Sequence, residues 1–468
     1  MSLKRSQRPL LVDLPKMNGS SDDPKYCSNQ GKGLVMALNV AHRGSLFHLL
    51  DDPRFHQDSV EFIEDGVLLV SDGVIISAGP ANEILDKLPA GTDVVRHADA
   101  VLVPGFFDLH VHSPQLTTVA IYGEQLLGWL NTIIPEEEAY KDPETASRRA
   151  DIFIKEALRN GTTTLAVYGS WAKESVDALF KKADSLNMRL VAGKVMADRN
   201  MPKGISLTAP EKDYEDCSSL IETWHGKGRL SYAVTPRFAI SCTREDMKVA
   251  SRLMSEHHDV YFQTHLSENP KEVEFTLELF PECKSYLDVY DSFGLLGQRS
   301  IFGHCIHLED EDFKRVAETG SVLCPNPPSN FFLGSGLFKF EKAKKSNVRV
   351  ALGTDFGAGN TLSMLSSMEN AYKMAQLQGY SLSPWEAFYY ATLGGAKALS
   401  VDDRVGNFLP GKEADFVVLD KKATPLIEWR MEYAQTPADV MFVLMMLGDD
   451  RAVRSTYVAG QVVHNRDE

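Results

Sequence analysis

The sequence predicts an α/β fold: a (β/α)8 TIM-type barrel over residues 104–404, joined to a smaller β-sandwich-like domain that both chain ends build. Three observations lead there. Between Val101 and Gly353, eight short apolar, β-branched runs alternate with helix-length connections. On either side, over 35–103 and 405–468, strand texture with turn dipeptides replaces that alternation. The chain has 468 residues, too many for one ordinary domain and right for a large barrel plus a smaller domain.

Taken in order, residues 1–34 are polar and rich in Ser, Asp, Lys and Pro, and read as a flexible extension without the apolar core of a signal peptide. Glu61-Phe-Ile-Glu, Val67-Leu-Leu-Val and Val74-Ile-Ile-Ser follow as strands, separated by Asp65-Gly66 and Asp72-Gly73, two hairpin turn signals. The barrel strands are expected at 101–109, 162–167, 189–195, 231–236, 260–264, 300–303, 321–324 and 348–353. Apolar Ala150, Phe153, Ile154, Ala157 and Leu158 form a helical stripe over 145–160, which Asn160-Gly161 ends. After 405, Ala414-Asp-Phe-Val-Val-Leu and Ser455-Thr-Tyr-Val-Ala-Gly-Gln-Val-Val are strands again, with helices expected between them in 426–447.

Composition excludes several roles. Acidic residues number 64 against 49 basic, a formal charge of -15, which repels a polyanionic partner such as DNA or RNA. The longest apolar run, Val440 to Leu447, falls far short of the roughly 20 residues a spanning helix needs. Cysteines 27, 217, 242, 283, 305 and 324 form no CxxC pair, which argues against a disulfide framework or thiolate metal site and for a reducing, cytoplasmic setting.

Chemistry gathers at the strand ends, where barrel enzymes keep their active sites. The first strand ends in His110-Val-His112, whose alternate residues share a face. The fifth ends in Thr264-His265-Leu-Ser-Glu268, the sixth in Gly303-His304 and the eighth in Gly353-Thr-Asp355. Neutral imidazoles and a carboxylate satisfy a single zinc ion and leave a position for water, which becomes a nucleophile near neutral pH. His257 and His258 read as a solvated loop and His307 as core or rim. Histidines 42, 48, 56, 97, 225 and 464 carry no functional reading.

The order Pro104-Gly-Phe-Phe-Asp-Leu-His-Val-His, Thr264-His-Leu-Ser-Glu, His304 and Gly353-Thr-Asp resembles the amidohydrolase superfamily over about 35–468. The fourth strand, Ser231-Tyr-Ala-Val-Thr-Pro-Arg-Phe, lacks the lysine of binuclear members, so the resemblance is to the single-metal deaminase branch; Lys194, on the third strand, reads as structural or supporting. Finer segments resemble the guanine-deaminating members: Gln115, Leu126-Leu-Gly-Trp-Leu, Gly193-Lys-Val, Thr235-Pro-Arg-Phe, Ser267-Glu-Asn, Phe332-Leu-Gly-Ser-Gly-Leu-Phe, Ala391-Thr-Leu-Gly-Gly and Gly406-Asn-Phe. Two segments depart from that pattern, Ser113-Pro114 and a longer seventh-strand loop, Cys324-Pro-Asn-Pro-Pro-Ser-Asn.

The resemblance implies one zinc ion, preferred over iron, on His110, His112, His265 and Asp355. It implies hydrolysis of guanine to xanthine and ammonia in purine catabolism or salvage. Asp355 would also take a proton from the attacking water, His304 would orient that water, and Glu268 would protonate ring N3 and then the departing amino group. Gln115 and Arg237 would meet the edge of the purine, Phe238 its face and Trp129 the opposite side. A homodimer is implied as well. The residues leave open a related ring aminohydrolase acting on 8-oxoguanine, a pyrimidine or a triazine, and a non-catalytic binding protein on the same fold.

Overall fold

A computed structural model of the chain describes residues 39–468 other than 124, 203, 204 and 206. The extension expected over 1–34 lies outside the described residues. Eight parallel strands pair in chain order: Phe106–His112, Thr162–Tyr168, Arg189–Gly193, Leu230–Pro236, Tyr261–Leu266, Ser300–His304, Val322–Cys324 and Arg349–Val350. A short ninth strand, Val195–Met196, continues the third onto Thr235 and Pro236. The two edges of this sheet meet, because the Leu109 amide donates to the Leu352 carbonyl at 3.1 Å and the Asp355 amide to the His110 carbonyl at 2.8 Å. The sheet therefore curls round on itself, and every residue of the first two strands is buried, as parallel strands covered on both faces require.

The connections are built as the sequence indicates. In the helix Pro143–Arg159, Asp142 caps the N-terminus by accepting from the Thr145 amide, and Pro143 occupies the first turn, where no amide is needed. Its buried face is Ala146, Ala150, Phe153, Ile154, Ala157 and Leu158. Gly161, at φ 81°, then turns the chain into the second strand. The segment 426–447 forms helices Pro425–Met431 and Pro437–Leu447. The apolar run at its end packs Met441, Leu444 and Met445 into the main core. No helix among the described residues is long and apolar enough to cross a membrane.

The chain ends build one separate sheet of seven strands, ordered Gln461–Asn465, Val453–Val458, Phe416–Asp420, Asp93–Pro104, Asn39–Leu49, Val60–Ser71 and Val74–Pro80. The two ends join where Phe416 lies antiparallel to Pro104. Alternation decides what each face does. Phe47, Val101, Val103, Val417 and Leu419 enter the main core with the barrel helices. Leu46, Leu102, Phe416 and Val418 form a second core with Leu68, Val70 and Ile75. The outer strand folds over to close that core, with Ile75 donating to the Lys412 carbonyl and Ala414 to the Gly73 carbonyl, both at 2.8 Å.

Asp72-Gly73 is the expected hairpin turn, with φ of 49° and 81°, both positive as a two-residue loop demands. Asp65-Gly66 is not a turn: Val60–Ser71 runs through it as a single strand. A Cβ on Gly66 would lie 2.6 Å from the Leu46 side chain, where the pairing register slips between Gly44 and Leu46. The glycine there serves the close approach of a bulge, which dipeptide composition alone does not separate from a turn.

Candidate active site

Three strand ends deliver the four expected metal ligands to one point. The ligand atoms of His110, His112, His265 and Asp355 all lie within 4.8 Å of one another, and all four residues are buried. Nε2 of His112 is 3.0 Å from Nε2 of His265. Asp355 Oδ1 lies 3.4 Å from His110 Nε2 and 3.3 Å from His112 Nε2. His265 donates through Nδ1 to the Arg237 carbonyl at 2.6 Å, which leaves its Nε2 lone pair facing the cluster.

The electrostatics fit a divalent cation. Burial lowers the His110 imidazole to about 3, lowers His112, and holds His265 well below its ordinary value, so all three are neutral and offer lone pairs. Burial alone would raise Asp355, but its contacts with His110 and His112 hold it far below the usual carboxylate range. Both ring nitrogens of His110 are buried without a hydrogen-bond partner among the described residues. Three neutral imidazoles and one anion form a donor set that suits a divalent metal ion.

Sequence reasoning missed Asp108, which holds this cluster in place. It lies two residues before His110 and so on the same face of the strand. Its Oδ1 accepts the Thr354 amide at 3.0 Å and the His110 amide at 3.3 Å, and its Oδ2 accepts the Thr354 hydroxyl, tying the first strand to the end of the eighth. Burial pushes this carboxyl up to about 7 against those hydrogen bonds.

Glu268 and His304 stand beside the metal ligands. His304 Nε2 lies 3.4 Å from Glu268 Oε2 and 3.7 Å from Asp355 Oδ2. On its other side Nδ1 donates to Asn330 Oδ1 at 3.0 Å, so the seventh-strand loop that departs from the family pattern orients the imidazole. Burial opposes charge on His304, yet Glu268 and Asp355 outweigh it and raise the imidazole above its ordinary value. Burial also raises Glu268, to about 7, with His304 pulling the other way. A carboxyl poised there gives and takes a proton near neutral pH. Ser335 donates to Glu268 Oε1 at 2.9 Å, and His307 donates to the Ser335 carbonyl at 3.0 Å. His307 is thus tied, through Ser335, to the shell around Glu268.

These groups open into a cavity. Gln115, Trp129, Arg237 and Phe238, the four residues expected to meet a substrate, all line it, with Leu126, Leu130, Leu333 and Ala358 completing an apolar wall. Arg237 pairs with Glu137, Nη1 to Oε1, at 3.7 Å. Glu137 also escaped sequence reasoning: it sits in the run Glu136-Glu137-Glu138, and charge runs ordinarily lie on a solvated face.

The remaining candidates fall elsewhere. Lys194 is fully buried and paired with Asp213 on the following helix, away from the cavity. His42 and His97 bond to each other at 3.1 Å, His48 meets Glu61 at 2.6 Å, and His225 meets Asp259 at 3.1 Å.

Comparison with known proteins agrees with this geometry. Residues 101–463 match the amidohydrolase family. The chain is 47% identical over 431 residues to the guanine deaminase of Escherichia coli (strain K12), covering 91% of this chain and 98% of that protein. The solved structure of E. coli guanine deaminase superposes with a TM-score of 0.88 at 45% identity, covering 92% of this chain and 99% of that one. A guanine deaminase from C. acetobutylicum, solved with guanine in its active site, superposes with a TM-score of 0.81 at 28% identity, covering 91% of this chain and 100% of that one. The chain belongs to the amidohydrolase family.

Proposed function

We propose that this chain is a guanine deaminase, a zinc-dependent aminohydrolase that converts guanine to xanthine and ammonia. One observation carries the reading. The cluster of His110, His112, His265 and Asp355, the Glu268–His304 pair, and Gln115, Arg237 and Phe238 all meet at one small, largely apolar cavity. The relatives named above support guanine as the base.

Zinc held by His110, His112, His265 and Asp355 would act as a Lewis acid and lower the pKa of water at the site. Asp355 takes a proton from the attacking water, and His304 stabilises the charge developing on that oxygen. Glu268 protonates ring N3 as C2 is attacked, then receives the proton that Asp355 took from the water and delivers it to the amino group; as ammonia leaves and the C2 carbonyl forms, the hydroxyl proton returns to Glu268. Arg237 donates to O6, the planar amide of Gln115 serves as donor and acceptor along the same edge, and Phe238 and Trp129 hold the ring faces.

The proposal includes a cytoplasmic homodimer acting in purine breakdown or salvage, with the catalytic barrel at 104–404 and the paired ends 35–103 and 405–468 as its scaffold. Five described cysteines are free thiols, four of them buried, in keeping with a reducing compartment. The test is ultraviolet-monitored turnover of guanine by zinc-loaded protein, with ammonia release as a second readout and adenine, cytosine and 8-oxoguanine in parallel. Conversion of guanine, lost on chelation and restored by zinc, is expected. A zinc-loaded protein that leaves guanine untouched would overturn the substrate assignment, and sedimentation velocity giving a monomer would overturn the dimer.

A further inference from the structure

We propose that Glu137 cancels the charge of Arg237 and so sets which charge state of a purine the cavity admits, accepting neutral oxopurines and turning anionic ones away. This rests on the reading that the cavity takes a purine base.

Glu137 lies in the short helix Ile134–Lys141, which buries Ile134, Glu137 and Tyr140. The segment is anchored on two sides: Tyr140 donates to the Ser113 carbonyl at 3.0 Å, and Trp171 donates through its indole nitrogen to Glu138 at 3.1 Å. The carboxylate is therefore held in place behind the cavity wall. Its side chain is 1% exposed and that of Arg237 4%, with 3.7 Å between Oε1 and Nη1. Nη1 of Arg237 donates no hydrogen bond among the described residues, so none joins it to Glu137, whose hydrogen-bonding neighbour is the Gln115 amide. The two side chains face each other as buried opposite charges rather than as a hydrogen-bonded strut.

That arrangement has a consequence for ligands. A guanidinium in a buried pocket would by itself attract anions strongly, because charges interact more strongly there than in water. With Glu137 behind it, the pair is neutral. Arg237 still presents N–H donors to a carbonyl oxygen, but a purine anion gains no net attraction from the pair. Burial pushes Glu137 up to about 7, with the Arg237 charge and the Gln115 amide opposing. Above that value the cancellation is in force.

The experiment is calorimetric titration of zinc-loaded protein at about pH 8, above the Glu137 value, with hypoxanthine as the neutral oxopurine and urate as the anion. Glu137→Gln keeps the shape and removes the charge. Urate should then bind about tenfold tighter, while the hypoxanthine Kd stays within about threefold. Arg237→Met removes the cation that opposes burial, so the Glu137 carboxyl keeps its proton at this pH and, with no net charge at the site, the urate-to-hypoxanthine ratio should stay within about threefold of wild type. Glu137→Gln added to Arg237→Met also leaves no net charge, and its urate-to-hypoxanthine ratio should likewise stay within about threefold of wild type. Glu137→Ser, which removes the same charge and leaves room for water beside Arg237, serves should Glu137→Gln fail to fold.

A urate-to-hypoxanthine ratio that stays within about twofold of wild type in Glu137→Gln would overturn the proposal. So would equal weakening of both purines, the mark of a merely structural role. Guanine turnover by the wild-type protein separates the two readings. Binding of hypoxanthine without guanine turnover would remove the deaminase assignment and leave the charge argument standing. Binding of neither purine would remove both.

Discussion

Gly303 sets how closely the sixth strand approaches His110, and Gly303→Ala is the sharpest test of the cluster. A Cβ at 303 would sit 2.4 Å from Cε1 of His110 and 2.5 Å from its Nδ1. Carbon atoms in contact need about 3.5 Å, so the imidazole must retreat by about 1 Å. It has no space to do so. A Cβ at Gly353, on the eighth strand, would already be 2.7 Å from the His110 Cβ. The rings of Tyr168, His265 and His304 stand with centroids 4.6, 4.7 and 5.1 Å from that of His110. Overpacking of this kind costs about 1–3 kcal/mol of stability. A 1 Å displacement of a reacting group costs about 100-fold in rate. Gly303→Ala should therefore lose about 100-fold in kcat/KM and bind zinc substoichiometrically at limiting metal. Gly297→Ala is the matched control, because its Cβ would meet only Ser300 Oγ, at 4.0 Å. Metal analysis and guanine kinetics on both variants decide it. Full zinc occupancy and kcat/KM within about threefold of wild type in Gly303→Ala would refute the reasoning.

Three further outcomes are expected. Glu268→Gln should keep its zinc and lose about 10²- to 10⁴-fold in kcat, the range for a lost general acid–base, and steady-state kinetics beside metal analysis read both. Arg237→Ala should lower guanine kcat/KM by about tenfold or more, from the roughly 1–3 kcal/mol of an unpaired buried acceptor; unchanged kinetics would remove Arg237 from recognition. Asp246 is buried with both carboxylate oxygens unpaired among the described residues, and burial, then the charges of Asp213 and Asp198, push it up to about 8. Its folded value exceeds its unfolded one, so it favours folding below about 4 and loses that contribution as pH rises through about 8. Melting curves should show Asp246→Asn gaining on wild type as pH rises across that window; a constant difference would contradict the assignment.

How much of this could be read from sequence depended on periodicity. The eight strands were visible because each is a short apolar run between helix-length connections, and His110 and His112 because alternation puts them on one face. Other features break the rule on which the reading relied. Asp65-Gly66 has the composition of a turn and the geometry of a bulge, and only the partner strand, with Leu46 against the glycine, distinguishes them. Glu137 is one of three consecutive glutamates, and what buries it is the packing of Ile134 and Tyr140 on either side. Asp108 could have been found from the same alternation that identified His110. Asn330 could not, since its role depends on how the short helix Pro327–Phe332 after the seventh strand packs against His304.

His304 shows where alternation stops and what replaces it. In the parallel pairing of the fifth and sixth strands, Gly303 is registered with His265 and His304 with Leu266. His265 faces the metal cluster and Leu266 the outer core, so a regular strand would turn His304 outward. Instead His304 has φ 67° and sits at the centre of a three-residue turn in which the Cys305 amide donates to the Gly303 carbonyl at 3.0 Å. That γ-turn is rare and strained, but it swings the imidazole back toward Glu268. Ser267 at φ 50° and Asp355 at φ 49° are left-handed as well, just past the ends of the fifth and eighth strands. Each left-handed residue costs about 1–2 kcal/mol. Barrel hydrogen bonds hold them: Cys305 to the Leu266 carbonyl at 2.9 Å, Ile306 to the Ser267 carbonyl at 3.0 Å and Asp355 to the His110 carbonyl at 2.8 Å. Bonds between neighbouring strand ends thus also aim the side chains of the candidate site. If that is right, His304→Gly should be more stable than His304→Ala by about 1 kcal/mol, since both lose the imidazole and only alanine keeps the Cβ penalty. In regular structure the order is the reverse, with glycine the less stable of the two. Finding alanine as stable as glycine at 304 in denaturant titrations would mean that the turn carries no strain, and that His304 is aimed by its hydrogen bond to Asn330 alone.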